Sequence, residues 1–166
     1  MSPHPAAHRG PLAYVDDLAA PVLGPGELHH LQRVLRLRAG DPLVLGDGRG
    51  SWCPARFAER PEATGPVEFA EAPLPVLSVG FALVKGDKPE LVVQKLTELG
   101  VDRILPFRAA RSVVRWDDER ARKATGRLRQ VARSAAAQCH RPWLPEVAEV
   151  TDLAHLLAGA GAGLAV

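Results

Sequence analysis

The sequence predicts an α/β protein in which a small β-rich unit, residues 1–72, precedes a unit of alternating strands and helices, residues 73–166. Three observations support this division. Short apolar runs separated by glycine-rich turns are typical of β-hairpins, and they fill the first part. Apolar runs that alternate with amphipathic stretches are typical of a mostly parallel sheet covered by helices, and they fill the second. Four prolines fall within residues 61–75, where we expect the boundary.

The first unit contains one predicted helix and one predicted hairpin. Residues 27–36 place leucines at helical spacing. Residues 43–45 are an apolar strand, and residues 51–58 can return beside it. Gly-Asp-Gly-Arg-Gly at residues 46–50 lies between these two strands, so we interpret it as a hairpin turn rather than a dinucleotide-binding loop.

The second unit begins with a predicted strand at residues 77–84, and further strands are predicted at 101–107, 146–150 and 163–166. The first helix starts at Asp87, whose side chain can cap it, and ends at Gly100. Much of its predicted apolar side comes from Leu91, Leu96 and Leu99. Because ligands of such sheets bind at the carboxyl ends of the strands, we expect the site there.

A long second helix follows the acidic residues 117–119, and a third is predicted at 152–158. The predicted apolar stripe of the long helix consists of Ala121, Ala124, Leu128, Val131 and Ala135.

Charge is distributed unevenly along a chain whose net charge is only +2. Residues 1–72 carry 7 Lys/Arg and 9 Asp/Glu, whereas residues 103–141 carry 11 and 3. This asymmetry is typical of a protein that binds a polyanion, and a solvated arginine-rich helix face is the alternative.

Several function classes find no support in the sequence. The two cysteines, Cys53 and Cys139, have neither metal-ligand spacing nor a disulfide framework, which favours a reduced, cytoplasmic setting. No apolar stretch is long enough to span a membrane, and we expect no bound metal.

Four sequence blocks, in order over about 120 residues, resemble the RsmE family of ribosomal RNA methyltransferases. They are His-His-Leu-Gln-Arg-Val-Leu-Arg-Leu-Arg-Ala-Gly-Asp at 29–41, Lys-Gly-Asp-Lys at 85–88 with Gln94-Lys95 and Thr-Glu-Leu-Gly-Val at 97–101, Arg-Ser-Val-Val at 111–114 with Trp116, and Gln-Cys-His-Arg-Pro at 138–142 with Pro145.

This resemblance implies a PUA-like β-barrel in residues 1–72 and the first part of a SPOUT-type α/β domain, which forms a trefoil knot, in residues 73–166. It also implies that a homodimer methylates N3 of a specific uridine in 16S rRNA of the small ribosomal subunit, with S-adenosylmethionine as donor. The family's Gly-Pro-Glu-Gly-Gly loop is absent from the 166 residues. We therefore expect the knot and the donor-binding residues beyond Val166, and this chain to be inactive alone.

The chemistry of the implied reaction indicates two candidate catalytic residues. N3 of uracil carries a proton on the pairing edge, so the enzyme must unpair the base and accept the loss of that proton. A cation near the uracil oxygens would stabilise the developing negative charge, which makes Arg111 a candidate. Glu98 is a candidate base, with a structural hydrogen bond at its helix end as the alternative.

Nine polar residues are candidate RNA contacts: Arg33, Arg36, Lys85, Lys88, Arg111, Arg115, Arg133, Gln138 and Arg141. Lys85 and Lys88 straddle a strand-to-helix turn, where RNA phosphate or the donor's carboxylate would bind. Arg122 and Arg129 share a helix face with Arg133 and are further phosphate candidates. For Arg111 and Arg141 the alternative is an ion pair that tethers a loop, and for Gln138 it is a bond to a neighbouring loop. A solvated helix face is the alternative for Arg115, Arg122, Arg129 and Arg133.

A second hypothesis is a non-catalytic RNA-binding or ribosome-assembly module. Such a module would bind RNA in a salt-sensitive way without transferring a methyl group.

Overall fold

The computed structural model describes residues 4–109 and 118–159 of the chain. Contacts divide the chain into two units, each made of two segments. Unit 1 is Met1–Pro73 with Ala136–Leu144, and unit 2 is Leu74–Ala135 with Pro145–Val166. We call Ala136–Leu144 the return segment. The division of the sequence into residues 1–72 and 73–166 does not anticipate it, because the segment follows a helix of the second part.

Unit 1 is built mainly from strands. Its elements are a 3-10 turn (Pro5–Ala7), β1 (Leu12–Tyr14), α1 (Pro25–His29), a π-helical turn (His30–Val34), β2 (Pro42–Gly46), β3 (Ser51–Arg56), β4 (Glu62–Ala63) and β5 (Glu68–Phe69). The predicted helix is thus an α-helical turn continued by a π-helical one, and the predicted hairpin is confirmed as β2 and β3.

The five strands of unit 1 form one mixed sheet. β1 runs parallel to β2, and β2 is antiparallel to β3. β5 is antiparallel to the start of β3, and β4 is antiparallel to its end. The implied PUA-like barrel is therefore a mixed sheet whose hydrogen bonds, among the described residues, do not close into a barrel.

Both faces of this sheet are buried. Side chains alternate between the faces along each strand, so Leu43 and Leu45 point to one face and Val44 to the other. The first face packs against leucines of α1 and the π-helical turn, among them Leu31. The second face packs against Ala136 and neighbouring residues of the return segment. This two-sided cover explains why three successive strand residues are apolar and buried.

In its described residues, unit 2 is an all-parallel sheet with three helices. Its elements are β6 (Ser78–Ala82), α2 (Lys88–Glu98), β7 (Arg103–Arg108), α3 (Asp118–Gln138), β8 (Glu146–Val147), β9 (Thr151–Asp152) and α4 (Leu153–Gly159). The last three residues of α3 belong to unit 1. β7 is central, since it pairs with β6 on one edge and with β8 and β9 on the other. The predicted strand at 163–166 lies outside the described residues.

The apolar face of α2 differs from the prediction. Leu91 is 55% exposed and Leu99 is 77% exposed, whereas Val93 and Thr97 are fully buried. Asp87 occupies the N-cap position, but its side chain makes no cap hydrogen bond, so that prediction is wrong too. The predicted end is confirmed, since Gly100 adopts φ +89° and its N–H donates to the Thr97 carbonyl.

The stripe of α3 is also broader than predicted. Ala121, Leu128 and Ala135 are buried as expected, but Thr125 and Ala132 are buried with them. The Thr125 hydroxyl donates to the Ala121 carbonyl at 3.0 Å, which removes the penalty of burying an unpaired polar group. No helix of residues 4–109 and 118–159 is both long and apolar enough to cross a bilayer.

Candidate functional site

Polar side chains collect at the carboxyl edge of the parallel sheet in unit 2. Lys85 and Lys88 are exposed on either side of Gly86, in the turn that leads from β6 to α2. Arg108 ends β7 and lies in register with Asp152, which ends β9. Two lysines and an arginine thus occupy the edge at which such sheets bind ligands.

Glu98 lies away from that edge. It is the last residue of α2, an 11-residue helix about 16 Å long that begins at the lysine-bearing turn. Its carboxylate accepts hydrogen bonds from Lys95 Nζ at 2.7 Å and Gln94 Nε2 at 2.9 Å. The bond from Lys95, followed by that from Gln94, lowers the pKa of Glu98. A carboxylate held ionised in this way is a weak base, so the placement favours its structural role.

Two arginines of α3 form ion pairs within unit 2. Arg127 pairs with Glu90. The Arg129 guanidinium reaches the Val147 carbonyl at 3.0 Å and Glu149 Oε1 at 2.9 Å. Arg129 therefore joins α3 to the segment around β8. Its guanidinium is neither a free phosphate contact nor the solvated group that was the alternative. Arg122 is exposed and Arg133 is half-buried.

Arg33 and Arg36 surround the end of the π-helical turn in unit 1. Both side chains are exposed. Arg36 adopts φ +58°, a left-handed conformation that is uncommon outside glycine. The next N–H, of Leu37, donates back to the Leu31 carbonyl at 2.9 Å. This reversal ends the turn and leaves both arginines at the surface of unit 1.

The return segment starts with an unusual helix end. His140 follows α3 with φ +54°, and its N–H donates to the Ala137 carbonyl, while the Arg141 N–H donates to Ala136. This is a Schellman cap, whose left-handed position is usually glycine. The His140 ring Nε2 lies 3.0 Å from the Gly10 carbonyl, and this contact helps to hold the cap against β1.

Further hydrogen bonds fix the rest of the return segment. The Tyr14 hydroxyl, on a side chain that is 1% exposed, donates to the Arg141 carbonyl at 2.6 Å. The backbone of Arg141 is thereby fixed while its side chain is half-exposed. Gln138 is exposed. Cys139 is exposed as well.

The structure does not bring all the candidate RNA contacts of unit 1 together. The segment with Arg33 and Arg36 covers one face of the five-stranded sheet, and the segment with Gln138 and Arg141 covers the other. Arg111 and Arg115 lie outside the described residues.

Two family models match the chain. Residues 70–164 match an RNA methyltransferase domain, and residues 23–62 match an RNA methyltransferase PUA domain. The first match covers more than half of the chain and the second falls within unit 1. The chain belongs to the RsmE family of RNA methyltransferases.

Named relatives agree with this family. The chain is 36% identical over 138 residues to Ribosomal RNA small subunit methyltransferase E of Bacillus subtilis. The aligned region covers 79% of the chain and 54% of that relative. It is 39% identical over 145 residues to the enzyme of that name in Mycobacterium bovis, covering 82% of the chain and 55% of the relative. The chain thus spans about half the length of the curated relatives it matches.

A solved structure shows the same fold. Ribosomal RNA small subunit methyltransferase E of Neisseria gonorrhoeae, crystallised with S-adenosylmethionine, superposes with a TM-score of 0.73 at 26% identity. The match covers 93% of this chain and 67% of the other. The PUA-like unit followed by a SPOUT-type α/β unit, as the sequence implied, is therefore confirmed.

Sequence reasoning missed the residues that join the return segment to the β2–β3 turn and to Ala70 in unit 1. The Trp143 indole N–H donates to the Ala70 carbonyl at 2.8 Å, and its ring lies over Gly50. Gly48 lies equally close to Leu144. The signal was present in the glycines of the turn, which leave space that other backbone and side chains fill.

Proposed function

We propose that the protein containing this chain methylates N3 of a uridine in 16S rRNA of the small ribosomal subunit, with S-adenosylmethionine as donor. The observation that carries this proposal is the match of residues 70–164 to the RNA methyltransferase domain. The names of the relatives support ribosomal RNA as the substrate. We also propose that it acts in the cytoplasm, which its cysteine usage favours, and as a homodimer, which the family resemblance implies.

RNA contact is proposed for both units. Arg33, Arg36, Gln138 and Arg141 project from two sides of the unit 1 sheet, so RNA would have to pass along more than one face of it. In unit 2 the contacts would be Lys85, Lys88 and Arg133, together with Arg111 and Arg115. Arginine and lysine side chains at these places would bind phosphates and thereby orient the RNA without selecting its sequence.

The chemistry requires an unpaired uracil whose N3 loses its proton. Negative charge then spreads onto the two carbonyl oxygens of the ring, and a guanidinium beside them lowers the energy of that state. Arg111 remains our candidate for this role. A base must lie within hydrogen-bond reach of N3 or of one intervening water. Glu98, at the far end of α2 from the lysine-bearing turn, is the less favoured candidate.

The described residues do not form a complete cradle for the donor. Lys85 and Lys88 are suited to its carboxylate. The two fully buried polar side chains, Thr97 and Thr125, donate to carbonyls of their own helices, so neither is available to the adenosine.

The decisive experiment is a methyl-transfer assay with the whole gene product that contains this chain. It is incubated with tritiated S-adenosylmethionine and with small subunits from a strain that lacks N3-methyluridine. We expect label in 16S rRNA and N3-methyluridine in its nucleoside digest. Label in a different nucleoside, or RNA binding without any label, would reject the proposed reaction.

Replacing Glu98 with Gln in the gene product is expected to change the methylation rate by less than about threefold, since the exposed pair with Lys95 contributes little. Removal of a general base typically costs about 10²- to 10⁴-fold. A loss of that size would instead identify Glu98 as the base. Lys95→Met is the matched control, because it breaks the same pair and keeps the carboxylate.

The pH dependence of the Lys95–Glu98 pair follows from the lowered pKa of Glu98. The stabilisation is present at neutral pH and is lost as the pH falls through this lowered value.

A further inference from the structure

Unit 1 carries an exposed pair of aromatic rings, one on β5 and one on the return segment. Phe69, at the end of β5, is 54% exposed. Its ring meets that of Trp143 edge to face, with 5.9 Å between centroids and 81° between planes. Trp143 is itself partly exposed. A large apolar ring in this position is open to a ligand on one side and supported on the other.

The ring pair is held rigidly from below. A Cβ atom on Gly50 would stand 2.7 Å from the Trp143 ring and 2.8 Å from the Phe69 ring, so both rings rest on that glycine. The Ala70 N–H donates to the Gly50 carbonyl, and the Gly50 N–H donates to Pro142. Together with the indole hydrogen bond to Ala70, these contacts order both rings before any ligand arrives, which lowers the entropy lost on binding.

A positive charge accompanies the rings. Arg49 is the direct antiparallel bridge partner of Trp143 and is exposed. Its backbone N–H donates to Asp47 Oδ1, but its guanidinium makes no hydrogen bond or ion pair with any residue in the described ranges. Three carboxylates lie near these residues in sequence. Asp47 Oδ1 accepts hydrogen bonds from the backbone N–H groups of Arg49 and Ser51. Glu68 is the strand neighbour of Phe69, so its side chain points to the opposite face, and Glu71 is exposed.

We propose that Phe69, Trp143 and Arg49 form a binding site for one unpaired RNA nucleotide, with the base stacked on Phe69 and its phosphate bound by Arg49. Exposed aromatic rings beside arginine are the means by which proteins bind single-stranded nucleic acid with little sequence choice. The site rests on the proposed function, because it would hold a nucleotide of the same RNA that the methyltransferase binds. It lies two residues beyond Arg141 and adds an aromatic contact to a surface predicted from charge alone.

The test uses the 166-residue chain and a fluorescein-labelled ten-nucleotide oligouridylate, with binding followed by fluorescence anisotropy. Phe69→Leu keeps the apolar bulk and removes the aromatic face, and we expect it to weaken binding about tenfold. Phe69→Trp should bind at least as tightly as the parent. Val67→Ala is the matched control, since Val67 is 58% exposed nearby but carries no ring, and it should leave affinity unchanged.

Arg49→Gln tests the phosphate contact separately. It should lower the slope of log affinity against log salt by roughly one unit. Equal affinities of the parent and Phe69→Leu would overturn the site, as would an equal loss in Val67→Ala or no binding by the parent at all. These outcomes are distinct from failure of the proposed function, which is read from N3-methyluridine formed by the whole gene product.

Discussion

A chain that ends at Pro73 is expected to lose the cooperative thermal unfolding of unit 1. Without the return segment, the second face of the sheet is uncovered, and with it Trp52 and Tyr14, which are 0% and 1% exposed in the intact chain. Full burial of a large apolar side chain contributes about 1.5–3 kcal/mol. Because whole domains are stable by only about 5–15 kcal/mol, the loss of several such contacts is enough to unfold the unit.

Circular dichroism melts of the fragment and of the intact chain measure this effect. The matched control joins residues 1–73 to residues 136–144 through a flexible Gly-Ser linker, and it should restore a cooperative melt. A synthetic peptide of residues 134–146 should do the same when it is added to the fragment. A fragment that melts as sharply as the linked control would show that the return segment is dispensable.

Gly50→Ala is expected to destabilise unit 1 by about 2–5 kcal/mol. The residue adopts φ +99°, a conformation that costs an L-residue roughly 1–2 kcal/mol. The new methyl group would also displace the rings of Trp143 and Phe69, and such overpacking typically costs about 1–3 kcal/mol. Urea unfolding should show a lower midpoint with an unchanged slope.

Gly40→Ala separates these two causes. Gly40 adopts a similar φ of +92°, but a Cβ atom there would meet nothing within 4 Å. This variant should therefore lose only the backbone share, about 1–2 kcal/mol. Equal losses at both positions would mean that the rings move aside freely, and the rigid ring support described above would then be wrong.

Local patterns in the sequence were enough to predict most elements. Alternation identified the β2–β3 hairpin, and helical spacing with Gly100 identified α2 and its end. Predictions that depend on neighbours were less successful. Leu91 and Leu99 look like core residues of α2 by composition, yet Val93 and Thr97 face inward. Orientation of a helix depends on what packs against it, and periodicity alone does not specify the partner.

The candidate site residues stay a prediction, and the sequence did not indicate how the fold would arrange them. Arg36 and Arg141 were both identified from sequence blocks, but their segments cover opposite faces of one sheet. The sequence makes Arg129 a candidate phosphate contact, whereas in the structure its guanidinium pairs with Glu149 and the Val147 carbonyl. Contacts over 70 or more residues, such as that from Trp143 to Ala70, leave no local periodicity in a sequence and so cannot be read from it.

The discontinuity of unit 1 also bears on the order of events during synthesis. Its strands are complete once Phe69 has been made, but the residues that cover Trp52 and Tyr14 extend to Leu144. At translation rates of about 5–20 residues per second, roughly 4 to 15 seconds separate these points. During that interval the nascent chain would present an aromatic surface to the cell, and it is there that we expect chaperones to bind it.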